Sequence, residues 1–112
     1  MSYSKNMNKQ VKTEFDRYVE YISQMDDVLR IYLYGSYAYG KPGQCSDIDI
    51  LVVVKDGVNT LKVMQDISYG LYDRQFALDV VADNDSDFNK LSEQKRSTLQ
   101  REVKDRGVLV YG

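Results

Sequence analysis

The sequence predicts a single α/β domain in which helices flank one small mixed sheet. Segments with helical periodicity alternate along the chain with short apolar segments that have strand character. Elements that alternate in this way around one sheet give a layered α/β architecture. A chain of 112 residues fits one such domain, since a protein of this size fills one hydrophobic core and not two. We therefore predict one domain over residues 1–112, with the polar segment 1–7 mobile.

The first predicted element is an amphipathic helix from about Lys9 to Val28. Its apolar residues recur at alternating steps of four and three, which places them along one stripe that packs on the sheet. The members of this stripe are Val11, Phe15, Tyr18, Ile22 and Met25. The segment from Arg30 to Tyr34 is predicted to be the first strand, because its side chains alternate as those of a half-buried strand do.

A turn and a second strand are predicted next. Residues 41–44 suit a type II turn, with Pro42 at its second position and Gly43 at its third. The segment from Asp47 to Val54 changes from alternating to continuously apolar. Such a change predicts a central strand that is covered on both faces.

A second helix and a third strand follow. Asn59 or Thr60 can cap the helix, which is predicted to run to about Tyr72. Its predicted buried face consists of Leu61, Met64, Ile67 and Leu71. The third strand is predicted from Phe76 to Ala82, an apolar run that only Asp79 interrupts.

The C-terminal part of the chain predicts two short helices and a last strand. Residues 83–87 are acidic and turn-like, and a helical segment around Phe88 follows them. A capping box at residues 97–100 indicates the start of the last helix. Gly107 is predicted to take the left-handed conformation past its end, before a strand from Val108 to Tyr111.

Two aspartates on the second strand are the main candidates for chemistry. Strand side chains alternate between faces, so Asp47 and Asp49 point the same way, about 6.6 Å apart, while Ile48 and Ile50 face the core. Aspartate is disfavoured in strands, and two like charges so close repel each other unless a cation lies between them. The chain has no histidine. Carboxylate oxygens alone favour Mg²⁺ or Mn²⁺ over zinc. The plainer interpretation of the pair is a solvated strand face.

A second feature lies at the end of the first strand, at Gly35-Ser36. A glycine there lets backbone N–H groups approach an anion closely, and Ser36 adds a hydroxyl donor. If a short helix begins at Ser36 to Tyr39, its first N–H groups also face the anion. These residues predict a phosphate-binding corner beside the carboxylate pair, and a metal that bridges phosphate oxygens is the usual use of such a pair.

These residues carry a resemblance to a known family. The spacing of one pattern resembles the signature of the DNA polymerase β-like nucleotidyltransferase superfamily: Gly35-Ser36 is followed by ten residues and then by Asp47-x-Asp49. The length of the chain resembles that of the superfamily's minimal nucleotidyltransferase (MNT) branch. FALDVVAD at residues 76–83 is placed like the family's later strand, which bears its third carboxylate. The closing RSTLQREVKDRGVLVY is also similar to the family's ending.

The resemblance implies the minimal polymerase β-like fold and a role for each matching residue. Gly35 and Ser36 would hold the triphosphate, Asp47 and Asp49 would bind metal, and Asp79 would complete the metal site or activate the acceptor. The implied reaction uses two Mg²⁺ ions to transfer a nucleoside monophosphate from ATP or another triphosphate to a hydroxyl. The MNT branch further implies a helical HEPN-type partner protein, with this chain as the antitoxin of a toxin–antitoxin pair.

One departure from the family pattern concerns the residues just after Gly35-Ser36. Members of the branch commonly carry arginines there, whereas this chain has Tyr37 and Tyr39. Their loss predicts weaker triphosphate binding or lost turnover, and the cation nearest to them in the sequence is Lys41. The two tyrosines either stack on a base, form a partner surface or simply pack with their hydroxyls in water.

Amino-acid composition limits the classes of ligand and the cell compartment that are expected for this chain. Fifteen Lys and Arg against 17 Asp and Glu give a net charge of −2, and without a long basic run nucleic acid is not expected as a ligand. The single cysteine, Cys45, cannot form an internal disulfide and is interpreted as an inert loop residue. Neither a signal peptide nor a membrane-spanning segment is indicated, so a cytoplasmic location is expected.

Two other functions stay open from the sequence. The first is a protein of the same fold that binds its partner without chemistry, which the replaced arginines favour. The second is a nucleotidyltransferase that modifies a small molecule such as an aminoglycoside. The second is less favoured, because 112 residues leave no room for a domain that holds the acceptor.

Overall fold

A four-stranded sheet forms the centre of the computed structural model, which describes residues 6–43 and 46–112. The strands are β1 Val28–Tyr34, β2 Ile48–Val54, β3 Leu78–Asn84 and β4 Val108–Tyr111. Their order in the sheet is β3-β2-β1-β4. β1 pairs antiparallel with both β2 and β4, whereas β2 and β3 are parallel. The sheet is therefore mixed, and the predicted fold class is confirmed.

Helices cover both faces of this sheet. They are α1 Lys9–Ser23, α2 Ser36–Tyr39, α3 Thr60–Gly70, α4 Asp85–Ser92 and α5 Leu99–Arg106. The larger core lies between one face of the sheet and the helices α1 and α3. A smaller cluster on the opposite face joins Phe88 of α4 and Val103 of α5 to Tyr34, Leu51 and Val53 of the sheet. None of the helices in the described ranges is long and apolar enough to cross a membrane.

The stripe predicted for α1 is confirmed, but the helix is shorter than predicted. Asn8 caps its start by accepting a hydrogen bond from the N–H of Val11. Val11, Phe15, Tyr18 and Ile22 are buried. The helix ends at Ser23 because the following residues turn the chain so that β1 can begin at Val28, opposite Val54. Met7, within the segment predicted to be mobile, is buried in the core, while residues 1–5 lie outside the described ranges.

The central strand is β2, as predicted. Ile48 and every residue from Ile50 to Val54 are fully buried, while Asp49 keeps partial access to solvent. Both neighbours of β2 and the helices on both faces exclude water from it. Its continuous apolar run is explained by this position.

The face of α3 differs from the prediction. Leu61 is 60% exposed, and Val63, Ile67 and Leu71 are buried instead. Leu61 lies two residues before Val63, about 200° around the helix from it, and so it points to solvent. Asn59 is the cap, since its side chain accepts the N–H of Lys62.

Three predicted boundaries shift in the second half of the chain. β3 begins and ends two residues later than predicted, because the side chain of Asn84 donates to the carbonyls of Lys55 and Val58 and fixes that end of the strand. No turn separates β3 from α4, which starts at Asp85. Residues 83–87 are therefore the end of a strand and the start of a helix.

The start and end of α5 also differ from the prediction. Thr98, not Ser97, is the cap, and its hydroxyl accepts the N–H of Arg101. Gly107 has a φ of −67°, so the left-handed conformation predicted for it is wrong. An extended residue suffices there because the chain passes directly from α5 into β4.

A buried hydroxyl connects α1 to the segment before β3, and its removal is expected to destabilise the fold. Tyr18 Oη accepts the N–H of Phe76 at 3.2 Å and donates to the Phe76 carbonyl at 3.3 Å. Tyr18→Phe leaves both backbone groups unpaired, and we expect a loss of about 1–3 kcal/mol in the free energy of unfolding, measured by urea denaturation. The exposed Tyr21 gives the matched control, and an equal loss in Tyr21→Phe would contradict this role.

Candidate active site

Three polar side chains lie in a row across the carboxyl end of β1 and the first residues of β2 and β3. Tyr34 of β1 is directly opposite Asp49 of β2, and Asp49 is directly opposite Asp79 of β3. Directly opposed residues on paired strands share one face, and neighbouring strands are about 4.8 Å apart. Strand register therefore brings Asp49 and Asp79 together, although 29 residues separate them in the sequence.

The second aspartate of the sequence motif lies at the edge of the same site. Asp47 precedes β2 and is exposed. Burial, and then the nearby charges of Asp79 and Asp47, raise the pKa of Asp49. The sequence placed Asp47 within the strand, but the strand begins one residue later. Asp47 and Asp79 are nevertheless each close enough to Asp49 to disfavour its charged form.

The carboxylates have no positive partner in the part of the chain that the structure describes. None of the ion pairs or side-chain hydrogen bonds found there involves Asp47, Asp49 or Asp79. Elsewhere in the same ranges, partly exposed carboxylates such as Asp66 and Asp85 do have such a partner. A repelling, unpaired group of hard oxygen donors fits a divalent cation.

The fit to a metal ion is incomplete without a substrate. Across residues 6–43 and 46–112, no group of three His, Cys, Asp or Glu residues lies close enough to hold an ion by itself. Mg²⁺ in phosphate-handling sites is commonly held by one or two carboxylates together with waters and substrate phosphates. The donor set present therefore suits Mg²⁺ that arrives with a triphosphate, rather than an ion enclosed by protein ligands.

The Gly35-Ser36 corner is packed against this carboxylate row. Gly35 follows β1 with a φ of +75°, and Ser36 is the first residue of the single-turn helix α2. A Cβ atom built on Gly35 would overlap with the carboxylate of Asp49. The backbone of Gly35 is thus in direct contact with the central aspartate. The first N–H groups of α2 have no acceptor within the helix.

The residues at the positions of the family's arginines have other contacts. Tyr37 is buried in the larger core. Tyr39 donates its hydroxyl to Glu102 at 2.5 Å, and the guanidinium of Arg106 lies 4.1 Å from the centre of its ring. Of the three roles considered for these tyrosines, packing describes Tyr37, but the Tyr39 hydroxyl is bonded to α5 and does not only face water. Lys41 is exposed and forms no ion pair with a described carboxylate.

Tyr34 is the site residue that sequence reasoning missed. It is buried, and burial, followed by the charges of Asp49 and Asp79, raises its pKa to about 12. The phenol therefore stays protonated at neutral pH beside two carboxylates. Tyr34 follows Leu33 in the first strand, so the alternation of strand side chains predicts that the two residues face opposite sides of the sheet. The position of Tyr34 opposite Asp49, however, depends on the pairing of β1 with β2.

Comparison with known proteins gives the family and the fold. Residues 17–112 match the family described as "Polymerase beta, Nucleotidyltransferase". Poly(A) polymerase pla1 of Schizosaccharomyces pombe (strain 972 / ATCC 24843) is 35% identical to this chain over 80 residues. That match covers 66% of this chain and 14% of the polymerase, so the likeness is confined to a small part of the larger enzyme.

Solved structures share the architecture at low sequence identity. A candidate nucleotidyltransferase from Sulfolobus solfataricus superposes with a TM-score of 0.61 at 23% identity, over 97% of this chain and 86% of that one. A chain of a toxin–antitoxin complex with AMP-PNP gives a TM-score of 0.53 at 21% identity, over 90% and 73% of the two chains. Because the family match covers most of the sequence, this chain belongs to the polymerase beta nucleotidyltransferase family.

Proposed function

We propose that this protein is a magnesium-dependent nucleotidyltransferase of the MNT branch, formed by one domain over residues 1–112. Its reaction transfers a nucleoside monophosphate from a triphosphate, with ATP as the expected donor, to an acceptor hydroxyl. The observation that carries this proposal is the contact between the Gly35 backbone and the row of Asp49 and Asp79. The residues proposed to bind phosphate therefore lie against those proposed to bind the cation, which supports phosphoryl transfer.

Asp47, Asp49 and Asp79 are the residues that would hold two Mg²⁺ ions, for which Mn²⁺ is an alternative. Bound metal would neutralise the charge that develops on the α-phosphate as the bond to pyrophosphate breaks. The mutual repulsion of the carboxylates supports this assignment, since a divalent cation removes the repulsion. The ligands missing from the protein are expected from triphosphate oxygens and water.

The remaining roles belong to groups of this chain. Backbone N–H groups at Gly35 and Ser36, with the Ser36 hydroxyl, bind and orient the outer phosphates. Lys41, five residues after Ser36, is proposed to add a positive charge to this phosphate site. The acceptor oxygen attacks the α-phosphorus in line with the departing pyrophosphate. Its proton passes to a carboxylate, for which Asp79 is the candidate because it is the most exposed of the paired strand aspartates.

The acceptor is proposed to lie on a partner protein. A structure of similar fold is a chain of a toxin–antitoxin complex with AMP-PNP, and this likeness supports an acceptor on a partner protein. We infer that this chain acts in the cytoplasm as the antitoxin to a helical HEPN-type toxin. A tyrosine hydroxyl of that toxin is the proposed acceptor.

A second candidate function is partner binding without catalysis. It is favoured by α2, where Tyr37 is buried and Tyr39 is bonded to Glu102, so that neither position offers a cation to a triphosphate. The two functions differ in their dependence on metal. A competent enzyme binds ATP with Mg²⁺ and loses that dependence in Asp47→Asn, whereas a pure binding protein keeps its partner in both forms.

Labelled nucleotide tests the proposed reaction directly. The purified protein is incubated with Mg²⁺ and a lysate of its source, with ATP that carries label at either the α- or the γ-phosphate. Nucleotidyl transfer places only the α-label on a protein, because the γ-phosphate leaves with pyrophosphate. Asp47→Asn/Asp49→Asn is the control and is expected to give no label.

Two results would contradict the enzyme. Transfer of the γ-label by the wild-type protein that is lost in Asp47→Asn/Asp49→Asn would indicate a kinase-type reaction. A partner recovered without label from both the wild-type and the double-variant protein would favour the binding function.

A further inference from the structure

Helix α5 borders the proposed triphosphate site, although its residues lie far from the motif in the sequence. Val103 of α5 is fully buried in the same cluster as Tyr34, the first member of the carboxylate row. Tyr39 of α2 packs against that cluster from the side of the Gly35-Ser36 corner. The exposed C-terminal turn of α5 thus lies next to α2.

Two residues one turn apart on α5 hold Tyr39 from two directions. Glu102 accepts its hydroxyl at 2.5 Å, and the guanidinium of Arg106 lies over its ring, 4.1 Å from the centre. Arginine stacked on an aromatic face keeps its planar N–H fork available at the edges. A Glu and an Arg four residues apart on a helix commonly pair, but these two do not.

Arg106 forms no ion pair with a carboxylate in the ranges the structure describes. Its side chain is exposed. Burial and the hydrogen bond to Glu102 raise the pKa of Tyr39. Tyr39 lies in the same single-turn helix as Ser36, and its N–H donates to the carbonyl of Gly35 at 3.1 Å. The residue under the guanidinium is thus bonded to Gly35, the residue that contacts Asp49.

We propose that Arg106 is the guanidinium that binds the outer phosphates of the nucleotide, and that Tyr39 is the platform that positions it. The site carries several carboxylates and lacks arginine after Gly35-Ser36, so a cation from elsewhere in the fold, in addition to Mg²⁺ and Lys41, stabilises a bound triphosphate. A planar guanidinium pairs bidentately with phosphate oxygens, which makes arginine well suited to this position. The cation is supplied from α5 instead of α2. This inference rests on the proposed function.

Calorimetric titration with Mg-ATP and Mg-AMP tests the role of Arg106. Arg106→Gln is expected to weaken Mg-ATP binding about 10- to 100-fold, the usual value of a hydrogen bond to a charged group. AMP lacks the outer phosphates, so its affinity is expected to be unchanged. Arg106→Lys keeps the charge but loses the fork, and is expected to recover only part of the affinity. Lys104→Gln, on the same helix and with the same loss of charge, is the matched control.

Each outcome separates the inference from the function on which it rests. Equal Mg-ATP affinity in Arg106→Gln and Lys104→Gln, with binding retained by the wild type, would overturn the role of Arg106 and leave the enzyme in place. A wild-type protein that binds no Mg-ATP would overturn both. If Arg106→Gln weakened the binding of Mg-AMP and of Mg-ATP equally, the role of Arg106 would also be overturned, because the lost contact would then not be with the outer phosphates.

Discussion

Asp49→Asn is expected to abolish metal-dependent nucleotide transfer and, in the same protein, to raise thermal stability. Asp49 contacts Gly35 and lies between Tyr34 and Asp79, so its carboxylate is the one best placed to hold metal against the α-phosphate. Metal stabilisation of a phosphoryl transition state contributes several kcal/mol, which corresponds to a loss of about 10³-fold in rate. Transfer of α-label measures the rate, and the melting temperature measures stability.

The gain in stability follows from the sign of the pKa shift. Burial, Asp79 and Asp47 raise the pKa of Asp49 above its ordinary value, so the charged form is disfavoured in the folded state. Its charge costs stability above the unfolded pKa of about 3.9, and the cost fades as the pH falls through the range between the two values. Asparagine removes this cost. The difference in melting temperature is therefore expected at neutral pH without metal, and is expected to vanish in acid.

The control for this prediction is an aspartate whose charge is favourable. Asp66 pairs with Lys62 on the exposed face of α3, so Asp66→Asn is expected to change neither transfer nor, beyond a few tenths of a kcal/mol, stability. A lower melting temperature in Asp49→Asn at neutral pH would contradict the repulsion inferred for the carboxylate row. Unchanged transfer would exclude Asp49 from the metal site.

Gly35→Ala is expected to remove Mg-ATP binding and to destabilise the fold. At a φ of +75° and a ψ of −153°, a region that essentially only glycine occupies, any side chain is strained by about 1–3 kcal/mol. The added Cβ would also overlap with the carboxylate of Asp49, so either the backbone or the aspartate must move. Displacement of about 1 Å can cost about 10²-fold in a reaction that depends on positioning. Calorimetry with Mg-ATP and urea denaturation measure the two effects.

Gly57→Ala separates the two causes. Gly57 has a similar φ of +85°, but an added Cβ would meet nothing within 4 Å. This variant is expected to lose stability through backbone strain alone and to keep full nucleotide affinity. If Gly35→Ala and Gly57→Ala bound Mg-ATP equally well, the contact between Gly35 and Asp49 would have no part in the site.

The local elements of the site could be predicted from sequence because their signals are local. Gly35-Ser36 follows a segment with strand alternation, and Asp47 and Asp49 interrupt an apolar segment. Each of these patterns can be recognised within a few residues. Asp79 could be singled out for the same reason. That Asp49 and Asp79 are direct neighbours depends on the register of β2 and β3, which no local pattern contains.

The residues that were missed or misplaced depend on tertiary contacts. Tyr34 resembles any other strand tyrosine until its register with Asp49 is known. Arg106 belongs to a helix whose mixed charges predict a face exposed to solvent. Its contact with Tyr39 arises only because α5 packs beside α2. Leu61 was assigned to the core by spacing, yet the position of α3 on the sheet selects Val63 instead. Propensity and periodicity do not determine how a helix is rotated against its neighbours.

The parallel pairing of β2 with β3 also has a kinetic consequence. β1 and β2 are an antiparallel pair joined by the 13 residues 35–47, whereas the crossover from β2 to the parallel β3 takes the 23 residues 55–77 and includes α3. Parallel pairing between distant segments forms slowly, because the chain loses the entropy of closing the loop before the stabilising contacts between the strands are made. Asp49 and Asp79, the proposed metal ligands, become neighbours only when β2 and β3 pair, so an unfolded chain lacks the site. A ligand that needs both strands stabilises only the native state, so its binding can be followed as a rise in melting temperature.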